Sequence, residues 1–159
     1  MAAGDINIYK ANGTQGSRRF AVAAGATAIL AGEPVVKALG AVSVTAAADG
    51  TPVVGTDYVV GIAASNSTQT ASVAGYVDVT VLTPGMVIAG KPKTAASWDT
   101  QSEYDALTGK RVVFDLTSGS YTIDATDGAT NGLVVEYVNV TENPNLVAVV
   151  VRNAALYYA

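Results

Sequence analysis

From position 76 the chain reads Tyr-Val-Asp-Val-Thr-Val, so polar and apolar side chains alternate at a period of two. Tyr76, Asp78 and Thr80 then face one way and Val77, Val79 and Val81 the other, giving a strand with one wet and one buried face. Similar short runs rich in β-branched residues predict strands at residues 19–23, 28–30, 35–39, 42–46, 58–64, 74–82, 86–89, 111–116, 120–124, 133–140 and 146–151. Turn signals separate most of them: Asp49-Gly50, Thr83-Pro84-Gly85, Ser118-Gly119, Asp127-Gly128, Asn131-Gly132 and Asn143-Pro144-Asn145. The run from Val147 to Val151 is apolar throughout, which predicts a strand covered on both faces.

Only one stretch reads as helix, at about residues 100–108. Thr100 with Glu103 three residues later fits a capping box, acidic side chains crowd the first turn, and Gly109 can terminate it in the left-handed conformation. Two turns cannot stand alone, so Trp98 and Tyr104 are expected to plug the segment onto the core. Many short strands and one short helix predict an all-β single domain, a β-barrel or β-sandwich, with no βαβ alternation for a parallel nucleotide-binding sheet. Residues 1–17 are Gly- and Asn-rich with one alternating patch, Ile6-Asn7-Ile8-Tyr9, and read as an extended N-terminal arm on a β domain of residues 18–159. The arm either packs on its own domain as an edge strand or lies on a neighbouring subunit.

The sequence Pro84-Gly-Met-Val-Ile-Ala-Gly-Lys-Pro92 contains G-x-x-x-x-G-K, most of a phosphate-binding loop. The next position should be Ser or Thr to ligate Mg²⁺; Pro92 offers neither the hydroxyl nor a backbone N–H. The related run Ile29-Leu-Ala-Gly-Glu-Pro34 repeats the order apolar-apolar-Ala-Gly-charge-Pro with Glu in place of Lys. A phosphate site would not accept that exchange, whereas a solvent-facing turn would. Both copies are therefore expected to end a strand and turn it, Gly supplying the backbone angle and Pro blocking further pairing.

Composition narrows the chemistry. Half of the 159 residues are apolar and only 14% are charged, which is opposite to the signature of disorder and leaves a weakly charged surface suited to contact with other protein. The formal charge of −4, with no dense Lys/Arg cluster, argues against a nucleic-acid partner. No apolar run is long enough for a membrane-spanning helix, the longest being Phe20 to Ala31. Ser17-Arg18-Arg19 before that run has some features of a twin-arginine export signal, but Phe20 comes one position too early, and a strand begun by a basic pair is the preferred reading. Without cysteine or histidine the chain has no disulfide, no usual zinc site, no thiol nucleophile and no His-based triad. No enzyme activity and no cofactor are expected.

The remaining acidic clusters have plain explanations. Aligning Gly128 or Gly132 of the run from Asp124 to Gly132 with the central glycine of an EF-hand puts Ala at the third ligand position and Val at the twelfth, so a calcium loop fails. Asp99, Glu103 and Asp105 could suggest a glycosidase, but a helix start accounts for all three. The features with most interaction character are Ile6, Ile8 and Tyr9 of the arm, the pair Arg18-Arg19, and Tyr157-Tyr158 near the other end; Arg and Tyr are enriched where interfaces concentrate their energy.

Three successive segments carry a resemblance: Gly32-Glu-Pro-Val-Val36, then Tyr58-Val-Val-Gly-Ile-Ala63, then Gly75-Tyr-Val-Asp-Val-Thr-Val81. Their order and the Ala/Gly/Thr/Val-rich setting resemble the small capsid cement, or head-decoration, proteins of tailed bacteriophages over residues 25–90. The later half departs from the shortest members. The resemblance implies a non-enzymatic virion protein, made in the bacterial host cytoplasm, that binds the outer capsid surface, partners the major capsid protein, forms a homo-oligomer with a trimer favoured, and clamps neighbouring shell subunits. The competing expectations are a glycan-binding β module of a tail fibre or adhesin, built on Trp98, Tyr104, Asp99 and Gln101, and another virion part such as a tail-tube subunit.

Overall fold

The structure is a computed structural model that describes residues 5–11 and 16–158. Two antiparallel sheets form a β-sandwich-like domain, and neither closes into a barrel. One sheet holds, in spatial order, β1 (Asn7–Lys10), β7 (Val87–Gly90), β11 (Val147–Val151), β10 (Leu133–Val135), β8 (Arg111–Thr117) and β9 (Ser120–Asp124). The other holds β2 (Ser17–Val22), β6 (Gly75–Val81), β5 (Asp57–Ala63), β3 (Pro34–Ala38) and β4 (Thr45–Ala46).

Alternation works where one face is wet. In β6, Val77, Val79 and Val81 are buried while Tyr76, Asp78 and Thr80 are exposed or half-buried. β3 and β5 are instead buried on both faces, by a local device: Val35 pairs with Gly61 but Val36 with Val59, so Val60 is an extra residue in the ladder. Val36, Val59 and Ile62 then join the main core between the sheets, while Val35, Val60 and Ala63 join a smaller cluster with Val22, Ile29, Val44, Val77 and Val79. β11 is buried at four of its five positions, as its unbroken apolar run predicts.

The helix α1 (Gln101–Leu107) carries the expected capping box: Glu103 N–H donates to the Thr100 hydroxyl, and the Glu103 carboxylate accepts from the Thr100 N–H at 3.0 Å. Gly109 lies at φ +84°, and Trp98 and Tyr104 are fully buried against each other, ring centroids 5.5 Å apart.

Three predicted strands are shortened or absent, two because side chains take over the backbone and one because the backbone pairs elsewhere. Residues 28–30 form no strand: the N–H groups of Ile29, Leu30 and Ala31 donate to Ser67 Oγ, Glu33 Oε2 and Asn66 Oδ1. The strand expected over 133–140 stops at Val135, since the Gln101 side-chain amide donates to the Val138 carbonyl and accepts from the Val140 N–H, as a neighbouring strand would. The strand expected over 42–46 keeps only Thr45 and Ala46, because the Val44 N–H crosses to the carbonyl of Ala21.

The two Ala-Gly-charge-Pro copies are not equivalent. Gly90 closes β7, as expected, but Gly32 turns at φ +90° ahead of β3 and Pro34 opens that strand. The charge in the first copy is not solvent-facing either. Glu33 is fully buried, its Oε2 accepting from the Leu30 N–H at 2.9 Å while Oε1 has no partner among the described residues. A shared six-residue motif cannot tell a turn that faces water from one folded into the core.

Candidate interaction surface

β2 runs along an edge of its sheet, and its alternation sends the two arginines to opposite faces. Arg19 stands directly across from Asp78 and grips it with two hydrogen bonds, Nε to Oδ1 at 2.9 Å and a terminal nitrogen to Oδ2 at 3.2 Å, with its guanidinium 3.9 Å from the centre of the Tyr76 ring. The Arg19 hydrogen bonds hold the Asp78 carboxyl below the usual carboxylate range. Such an exposed pair orders the edge but adds little to stability.

Arg18 and Phe20 point the other way, onto the sheet face that the end of the chain reaches. After β11, Leu156 is buried and bridges to Val59, and the Tyr157 N–H donates to the Val59 carbonyl at 3.0 Å. This brings Tyr157 within ring contact of Phe20 (6.0 Å), Tyr58 (6.4 Å) and Tyr158 (4.9 Å), all edge-to-face. Two cations flank the rings. The Arg18 guanidinium lies 5.3 Å from the centre of Tyr158, and Lys37 Nζ lies 4.9 Å from the centre of Tyr157 and 3.3 Å from its hydroxyl.

Neither Arg18 nor Lys37 has a carboxylate within salt-bridge distance among the described residues. Tyr158 and Phe20 pack against the smaller core cluster, and Tyr157 stays 37% exposed. The structure thus gathers Arg18, Tyr157 and Tyr158 of the sequence-named residues and adds Phe20, Lys37 and Tyr58. The cross-strand neighbours Lys37 and Tyr58 come from registry, which a linear pattern does not display.

The arm residues sit elsewhere, at the far edge of the other sheet. The Tyr121 N–H donates to Asp5 Oδ2 at 2.9 Å, Ile6 is fully buried in the main core, and Asn7 to Lys10 pair with β7. Over residues 7–10 the arm is therefore an edge strand of its own domain; residues 1–4 and 12–15 lie outside the described residues. Ile8 is half-buried on the core, and Tyr9 is 51% exposed with its hydroxyl donating to Asn143 Oδ1 at 3.3 Å. Ile6 presents no surface to a second molecule in this arrangement.

The other acidic candidates are occupied within the chain. Lys93 Nζ bridges Asp115 at 2.7 Å and Asp124 at 3.0 Å, and Asp127 accepts from the Arg111 N–H at 2.8 Å. Burial alone would raise the Asp115 carboxyl, but Lys93, Thr117 and Thr122 outweigh it and hold the group low. Asp99 is raised by hydrogen bonding and repulsion from Glu103, which is itself lowered by the Thr100 hydroxyl and the backbone it caps. Among the described residues no group of three acidic side chains is placed to hold a metal ion, and no helix is long and apolar enough to cross a membrane. Trp98 and Tyr104, the rings of the expected glycan platform, have no exposed face. Comparison with protein-family models, curated proteins and solved structures finds no match to this chain.

Proposed function

We propose that this protein is a non-enzymatic structural protein that docks on another protein through Arg18, Phe20, Lys37, Tyr58, Tyr157 and Tyr158, and that the docking partner is the outer surface of a bacteriophage capsid, which it stabilises as a cement protein. The single observation behind the docking is the aromatic cluster itself, partly exposed and flanked by two cations without carboxylate partners among the described residues. Tyrosine and arginine in a partly desolvated cluster are what interface centres are made of. The choice of capsid rests on the resemblance over residues 25–90. A homotrimer partnering the major capsid protein, on the virion exterior, belongs to the same proposal.

The test is the light-scattering mass of the purified chain, followed by co-sedimentation with capsids that lack it, before and after shell expansion. A trimer that pellets with expanded shells, and a Tyr157→Ala/Tyr158→Ala variant that binds about 30-fold more weakly, are expected if these side chains carry ~2 kcal/mol or more of the contact. A folded variant that sediments with shells as well as the parent does would remove the cluster as the docking site, and a monomer indifferent to capsids would remove the cement reading.

A further inference from the structure

A second surface lies at the opposite sheet edge, where β1, β7 and the turn before β11 enclose a groove of about 420 Å³ lined by Asp5, Tyr9, Gly90, Lys91, Asn145 and Leu146 among others. That volume falls in the range of small-ligand sites. Ala89 and Gly90, at the end of β7, line the groove beside the arm. A Cβ on Gly90 would come within 2.5 Å of Ile6 Cδ1, so the close approach that seats the arm also keeps this position bare.

Three features shape the groove. Ile8 pairs with Ile88 but Lys10 with Val87, so Tyr9 is the extra residue at a register shift, and such bulges re-aim a side chain. Its ring is half exposed and tethered across to Asn143 through the hydroxyl, which presents a flat apolar face in a fixed place. Asn145 adopts φ +58°, the left-handed conformation that Asn tolerates better than most residues, and so ends the Asn143-Pro144-Asn145 turn at the rim of the groove. Lys91, unlike Lys93, has no carboxylate within salt-bridge distance among the described residues.

We propose that this groove binds a neutral saccharide. A sugar offers an apolar ring face and a rim of hydroxyls that both donate and accept. The groove offers an aromatic face beside an amide, a carboxylate and an ammonium, of which the amide both donates and accepts. Asp5 disfavours a polyanion and Lys91 a polycation, and the Tyr9 ring supplies the flat face on which the apolar side of a sugar stacks. This site is separate from the tyrosine cluster and does not depend on capsid docking.

The experiment is an amide NMR titration of the full chain with a panel of neutral disaccharides (lactose, maltose, cellobiose and chitobiose) to about 10 mM, with sodium phosphate as a separate arm. At least one disaccharide should shift residues 7–10, 89–91 and 143–146 saturably. Tyr9→Ala should weaken that binding at least about tenfold, as should Asn145→Gly, which removes the amide while suiting the backbone angle. Tyr157→Ala should leave it unchanged. No shift with any disaccharide, shifts centred elsewhere, undiminished binding in both groove variants, or a response to phosphate alone would each overturn the assignment.

Discussion

Glu33 sits where a carboxylate is costly, fully buried and with Oε1 unpaired among the described residues. Burial raises its pKa, and the hydrogen bond from Leu30 only partly opposes this. A carboxyl whose folded value is raised contributes stability that is present below its unfolded pKa and lost as pH rises through the folded one. Asp115, held low beside Lys93, works in the other direction and loses its contribution as pH falls. Replacing Glu33 with Gln should therefore flatten the decline of stability with rising pH while leaving the acid limb in place, as measured by urea unfolding from about pH 4 to 8. Parallel pH profiles for parent and variant would show that Glu33 does not carry the slope. The sequence showed an acidic residue in a Gly-x-Pro turn; its burial depends on Ser67 and Asn66, more than thirty residues away, holding the loop onto the core.

Among the elements, α1 and β6 were legible because their signals are local: a capping box with a terminating glycine, and a strict period of two. Thr100→Ala should cost ~1 kcal/mol by loss of the cap. Gln101→Ala should cost as much or more, because it strips partners from the half-buried backbone of Val138 and Val140, where an unmade hydrogen bond costs about 1–3 kcal/mol. Urea midpoints of the two variants check the ranking, and a Gln101→Ala midpoint equal to that of the parent would mean that this side chain does not stand in for a strand. The segments 28–30 and 136–140 were misread for the same reason. Their residues have strand propensity, but Ser67, Asn66 and Gln101 offered hydrogen bonds first, and propensity says nothing about a competitor distant in sequence.

For the whole molecule, β1 is an edge strand of its sheet and Ile6 belongs to the main core. Ile6→Ala should destabilise the entire domain by about 2–5 kcal/mol in one cooperative transition. Loss of only the exchange protection of residues 7–10, with the global midpoint unchanged, would instead show an arm that docks weakly. The two candidate surfaces lie on different sheets, so a variant in one is expected to leave the other's binding intact.

The amino-acid pattern by itself determined the all-β class, most strand positions, the capped helix and the lack of cysteine and histidine chemistry, because each of these follows from residue type and spacing within a few positions. Only the tertiary structure decided that Arg19 meets Asp78, that Lys37 and Tyr58 join Tyr157, that Glu33 is buried, and that a groove opens beside Tyr9. Those outcomes depend on registry between strands distant in sequence and on a one-residue shift at Val60 or Tyr9, which redirects side chains without leaving a mark on the periodicity.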